Sequence, residues 1–64
     1  MCRRHLKPGT LVTLNEGIRE GGRHWNRGII ARRDGEYYDV RVFVGDETVT
    51  VERYLTELKE RTNG

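Results

Sequence analysis

Apolar and polar positions alternate one for one along Tyr38, Val40, Val42 and Val44, and again at Val49 and Val51. A period of two marks a strand with one buried face. Gly45-Asp46 between the two runs reads as a two-residue hairpin link. Pairing Val44 with Glu47 across it sets Val42 opposite Val49 and Val40 opposite Val51. Those four valines then share one face, and Asp39, Arg41, Thr48 and Thr50 share the other. The pattern predicts antiparallel strands over residues 36–44 and 47–52.

Upstream, residues 10–14 read as a first strand with Val12 and Leu14 in the core. Residues 15–24 hold Gly17, Gly21 and Gly22 among Glu16, Arg19, Glu20 and Arg23. That composition predicts a polar loop between strands. Residues 25–33 read as the second strand, and Gly28 inside it marks a bend or a close backbone approach. Asp34-Gly35 turns the chain into the third strand. A two-residue turn there sets Ile29 opposite Val40, whereas a three-residue loop sets Ile30 opposite Val40. The adjacent isoleucines fit both registers. Val51, Tyr54, Leu55 and Leu58 have the i, i+3, i+4, i+7 spacing of a helix. It would be capped by Thr50 and end near Arg61, with a short 3₁₀ turn before a last strand at Leu58 as the alternative. Residues 1–8 form a basic, flexible lead-in, residues 9–61 one domain and Thr62-Asn63-Gly64 a tail.

Sixty-four residues allow one modest core. With no staple to help it, a compact barrel or a homo-oligomer is the expected solution. The single cysteine, Cys2, precludes an internal disulfide and points to the cytoplasm. Apolar runs of only a few residues exclude a membrane span or a signal-peptide core, so no membrane partner is expected.

The net charge is only +2, but it is unevenly spread. Residues 1–33 carry eight basic side chains against two acids, a net of +6, and residues 34–64 carry four against eight, a net of −4. Ten of the twelve cations are arginine, whose planar fork suits phosphate and carboxylate. An anionic partner at the basic half is one reading, and mutual neutralisation of the two halves across the sheet is the other.

The chain runs Gly9-x-x-Val12, a charged loop, Trp25-x-x-Gly28-x-Ile30, a tight turn, Tyr38-x-Val40-x-Val42, a second tight turn and a closing Leu55-x-x-Leu58. Over residues 9–58 this order resembles the SH3-like barrels, in particular their Tudor-like and KOW-like branch. The resemblance implies an all-β barrel of four to five antiparallel strands, with or without a short C-terminal helix. Tudor-like readers of methylated lysine or arginine use an aromatic cage. The cage positions match Asn26 and Val42 here, so the resemblance argues against that activity. A barrel of similar size, the plasmid-encoded dihydrofolate reductase type, is built around a V-Q-I-Y segment. The matching Val49-Thr50-Val51-Glu52 lacks the Gln and the Tyr.

Candidate chemistry is sparse. Cys2-x-x-His5 and His24 do not make a four-ligand metal site. Gly17-Ile18-Arg19-Glu20-Gly21-Gly22-Arg23 lacks the lysine–hydroxyl pair and the helix of a phosphate loop. No nucleophile stands beside a base, so neither an enzyme nor a cofactor is expected. What remains is a set of aromatic and arginine side chains: Arg23, Trp25, Arg27, Arg32, Arg33, Tyr37, Arg41 and Phe43. Odd positions of the third strand put Tyr37, Arg41 and Phe43 opposite the valine face, with Arg32 or Arg33 beside Tyr37 across the hairpin. Rings interleaved with arginine can stack bases and neutralise phosphates, and equally suit a protein interface. The expected function is non-enzymatic binding to nucleic acid or a nucleic-acid-associated machine. A protein-binding regulator of phage or plasmid type, acting on a host protein, is the alternative.

Overall fold

The computed structural model describes residues 5–61. Five antiparallel strands form one sheet: β1 (Leu11–Glu20), β2 (Arg23–Asp34), β3 (Tyr37–Val44), β4 (Glu47–Tyr54) and β5 (Leu58–Glu60). Their order is β4-β3-β2-β1-β5, so the chain meanders from β1 to β4 and then returns to lay β5 against β1. The order leaves β4 and β5 as the two edges. No helix among the described residues is long and apolar enough to cross a membrane.

The β3–β4 hairpin has the register that the valine alternation requires, with Val44 opposite Glu47, Val42 opposite Val49 and Val40 opposite Val51. Val40 and Val42 are fully buried, while Val49 and Val51 are half-buried because β4 is an edge. In the β2–β3 hairpin Ile30 stands opposite Val40, as the three-residue loop would have it, but by another route. The turn is Gly35-Glu36, and Asp34, Arg33 and Arg32 face Tyr37, Tyr38 and Asp39. The register then slips by one at Ala31, a bulge that restores the isoleucine to the core face.

The expected polar loop over residues 15–24 is instead strand. β1 continues to Glu20, and Gly21-Gly22, both at positive φ, turn it directly into β2. Two successive left-handed glycines suit the tight turn of a twisted hairpin. Thr13 pairs with Arg27 but Ile18 with Trp25, so residues 14–17 stand against Asn26 alone. β1 kinks there. Its first half pairs with β5, Leu14 facing Leu58, while its far end and the start of β2 form a two-stranded arm. Asn15 Nδ2 ties the kink down by donating to the Thr56 carbonyl at 3.1 Å. The charged residues that looked like a loop are the solvated faces of this arm.

Of the two C-terminal alternatives the helix does not form and the other does: a single 3₁₀ turn, Leu55–Glu57, followed by a last strand, β5, beginning at Leu58. Val51 and Tyr54 belong to β4, where the cross-strand partners Val40 and Tyr37 hold them extended. Thr50 therefore caps nothing. Tyr54 is the cap, its backbone N–H donating to the Glu57 carboxylate at 3.1 Å.

The core comprises Leu6, Val12, Leu14, Ile30, Tyr38, Val40, Val42 and Leu58. Val12 and Leu14 fill the places expected of them. Leu6 comes from the stretch read as a lead-in, yet it is 7% exposed and its N–H donates to the buried Tyr38 hydroxyl at 3.1 Å. Burying such a side chain contributes roughly 1.5–3 kcal/mol, and the hydroxyl gains a partner it needs once it is out of water. Gly9 N–H to the Ile30 carbonyl and Ile30 N–H to the Thr10 carbonyl continue this anchorage into β1.

Candidate functional site

Successive registers carry one face across the sheet. Leu11 lies opposite Ile29, Ile29 opposite Arg41 and Arg41 opposite Thr50. These positions form the outer face, opposite buried Val12, Gly28 and Val42. Beside this row on β3 lie Phe43 at one end and Asp39 and Tyr37 at the other. Leu11, Tyr37, Phe43 and Tyr54 are each about two-fifths exposed (42, 41, 40 and 42%), a large apolar allotment for one side of so small a sheet.

At the Phe43 end lies an open groove of about 520 Å³. Leu11, His24, Trp25, Asn26, Arg27, Gly28, Phe43, Gly45 and Arg61 line it. Three of the sequence candidates, Trp25, Arg27 and Phe43, therefore meet at one site. Trp25 is half-buried against the core, and its indole N–H donates to the Glu20 carbonyl across the arm at 3.0 Å. That bond fixes the ring's polar edge, and Trp25 borders the groove. Gly28 also borders it, and the buried side of the sheet requires glycine there. A Cβ would stand 2.7 Å from the Arg41 carbonyl oxygen and 2.8 Å from Val40 Cγ1. Gly17 plays the same part in the arm, where a Cβ would stand 2.2 Å from the Trp25 carbonyl oxygen. The lining contains two guanidinium groups and an imidazole but no carboxylate.

The other candidates do not reach this groove. Tyr37 stacks on Tyr54, with ring centroids 4.2 Å apart and planes at 27°, and its hydroxyl donates to the Tyr54 hydroxyl at 2.8 Å. That bond, followed by the nearby charge of Tyr54 and of Glu52 and Glu57, raises the Tyr37 pKa above the ordinary 10.0. Arg32 is placed beside Asp39, not Tyr37, at a long 3.7 Å, and its side chain is 66% exposed. Such a pair is worth little. Arg33 faces Tyr38 across the hairpin, and Arg23 sits at the tip of the arm opposite Glu20. Arg41 is exposed in the middle of the outer face. Val42, the second cage position of the Tudor-like pattern, is fully buried. Cys2, Arg3 and Arg4 lie outside the described residues.

Four groove or face residues escaped the sequence reading. Leu11 was legible by parity, being out of step with Val12 and Leu14. Tyr54 was assigned to a helix, which concealed its register with Tyr37. His24 was assigned to a loop. Arg61 reaches the groove only because β5 returns to β1, its N–H donating to the Leu11 carbonyl at 2.9 Å, and no local pattern encodes that return. Comparison with protein-family models, with curated proteins and with solved structures finds no match to this chain.

Proposed function

We propose that the chain is a non-enzymatic binding module that takes a nucleic-acid strand in the groove between Trp25 and Phe43. The observation that carries this reading is the lining itself: two aromatic rings, Arg27, Arg61 and His24, with no carboxylate among them. Rings accept bases by stacking irrespective of sequence, and guanidinium groups meet the phosphates between them. The reading takes the curled sheet as an SH3-like barrel of the Tudor-like and KOW-like kind. The return of β5 onto β1 and the kink in β1 both support that reading, although β4 and β5 remain the two edges of the sheet.

The protein supplies its own reporter, since Trp25 is its one tryptophan. Titration with a short oligothymidylate at low salt should quench its fluorescence. Affinity should fall steeply as salt rises, with a slope of about −0.7 per phosphate neutralised. Absence of binding at low salt, or binding that salt leaves unchanged, rules this function out.

The four exposed apolar side chains of the outer face support a second reading, a protein-binding regulator. Its mark is a stoichiometric complex that survives nuclease treatment and is weakened more by Phe43→Ala than by charge removal on the arm.

A further inference from the structure

β4 is an edge, and among the described residues no strand pairs with its outer side. Antiparallel strands turn alternate residues toward each neighbour. Val44 and Glu47 close the two-residue turn, so the odd residues of β4 address β3 and Thr48, Thr50 and Glu52 turn their backbone groups outward. Two hydrogen bonds agree with the parity. The Tyr54 N–H is free of the ladder and donates to the Glu57 carboxylate, and the Glu52 carbonyl accepts from Arg53 Nη1 at 2.7 Å. An unpaired row of this kind is a template for another strand. The stretch Thr48-Val49-Thr50-Val51 is rich in β-branched residues, carries no charge and contains no proline.

We infer that this edge is a self-association surface, on which a second copy of the chain adds its own β4 antiparallel about a two-fold axis through Thr50. The sequence selects that register among those the parity allows. With Thr50 opposite its own copy, Thr48 meets Glu52, Val49 meets Val51 and Glu47 meets Arg53, each twice by symmetry. Slipping the pairing by two residues in one direction sets Glu47 against Val51, and in the other sets Arg53 against Val49. A further slip in the second direction opposes Glu52 to Glu52, a like-charge pair. Only the Thr50-centred register joins opposite charges and joins valine to valine. Glu47, Val49, Val51 and Arg53 lie on one face of β4, so the ion pair flanks the valine contact on the half-buried side. In forming it, Arg53 exchanges its own Glu52 carbonyl for the partner's Glu47, and that carbonyl receives the partner's Thr48 N–H. The outer faces of the two copies then continue one another, and both grooves open on the same side.

The test is sedimentation of the full chain between roughly 10 µM and 1 mM, the range suited to so small an interface. A monomer–dimer equilibrium is expected. Glu47→Arg and Arg53→Glu each place like charges at both symmetric pairs and should weaken the dimer about tenfold or more. Mixing the two single variants should restore association as a heterodimer. Each of its two symmetric contacts then joins an arginine to a glutamate, one contact made by the two introduced side chains and the other by the native Arg53 and Glu47. Thr50→Pro removes an N–H that β3 does not use, so it should keep the fold and lose the dimer. Circular dichroism confirms that each variant is folded. A wild-type chain that stays monomeric across the range overturns the inference, and so does a dimer that Thr50→Pro leaves intact. Failure of the mixed variants to associate overturns the register. Oligothymidylate binding by monomeric Thr50→Pro keeps the groove function separate from this result.

Discussion

The two ends of the outer face are built from the same kinds of side chain and put them to opposite use. At one end Phe43, Trp25 and Leu11 border an open groove with Arg27 and Arg61. At the other, Tyr37 and Tyr54 stack on each other and join hydroxyls, with Asp39 and Glu52 in the adjoining register positions. Stacking on a neighbour in the sheet takes up one face of an aromatic ring and leaves it less free to receive a ligand. Tyr37 has such a neighbour directly across β4, whereas Phe43 faces Thr48, which offers it no ring. The charges differ too: Arg27 and Arg61 border the open end with no acidic residue among its lining, whereas the closed end holds Asp39 and Glu52, with Arg32 beside Asp39. The contrast gives the proposed binding a sharper place on the face than the overall net charge of +2 could.

The largest expected effect disturbs the strand pairing that backs the open end. Gly28→Ala forces a methyl group against backbone and a packed valine, neither of which can step aside cheaply. It should lower stability by about 1–3 kcal/mol, the usual cost of overpacking, and a shift in the urea midpoint measures it. A midpoint equal to wild type would mean that β2 and β3 separate more easily than their close approach implies.

Next comes removal of a wall. Phe43→Ala should weaken oligothymidylate binding about tenfold, as expected for one lost base-stacking surface. Arg27→Ala should also flatten the salt slope by about 0.7. Tyr54→Ala should leave both quantities unchanged, because that ring belongs to the closed end. Equal losses at Phe43 and Tyr54 would show that the two ends act as one surface and erase the distinction between them.

How far the sequence disclosed this face depended on the range of each interaction. The β3–β4 register was fully legible, because strict alternation and a two-residue turn leave one pairing that buries the valines together. The β2–β3 register was open between Ile29 and Ile30, since a bulge at Ala31 has no mark beyond the residue itself. The arm was hidden for a related reason. A two-stranded ribbon that packs only Ile18 and Trp25 against the core has no apolar alternation, and its glycines and charges imitate a loop. The helix expected after Thr50 and ending near Arg61 arose because an edge strand followed by a 3₁₀ turn happens to space its apolar residues three and four apart. Of the site, Trp25, Arg27 and Phe43 were named as members of a larger set. Their convergence with Leu11 follows from the β1–β2 pairing, but that with Arg61 depends on β5 pairing with β1, across nearly the whole chain.

The smallest effect concerns the closed end and is read by titration. Tyr37 donates its proton to the Tyr54 hydroxyl, and ionisation would remove that donor and place a phenolate among Tyr54, Glu52 and Glu57. The folded state therefore holds the Tyr37 proton more tightly than the unfolded chain, whose tyrosine has the ordinary pKa of 10.0. A pKa raised on folding adds stability that is fully present below the unfolded value and is lost as pH rises through the folded one. Between neutrality and about pH 9 the melting curve should not respond to this pair, and above about pH 10 its contribution should fade. Ultraviolet titration of the phenolate should show one tyrosine ionising later than an ordinary one. In Tyr54→Phe the acceptor hydroxyl is gone, so that late step should move back toward the ordinary value while the ring stack survives. Oligothymidylate affinity at neutral pH should not change. A late step that persists in Tyr54→Phe would show that the bond to Tyr54 is not what holds the Tyr37 proton, and would leave the closed end without an electrostatic signature of its own.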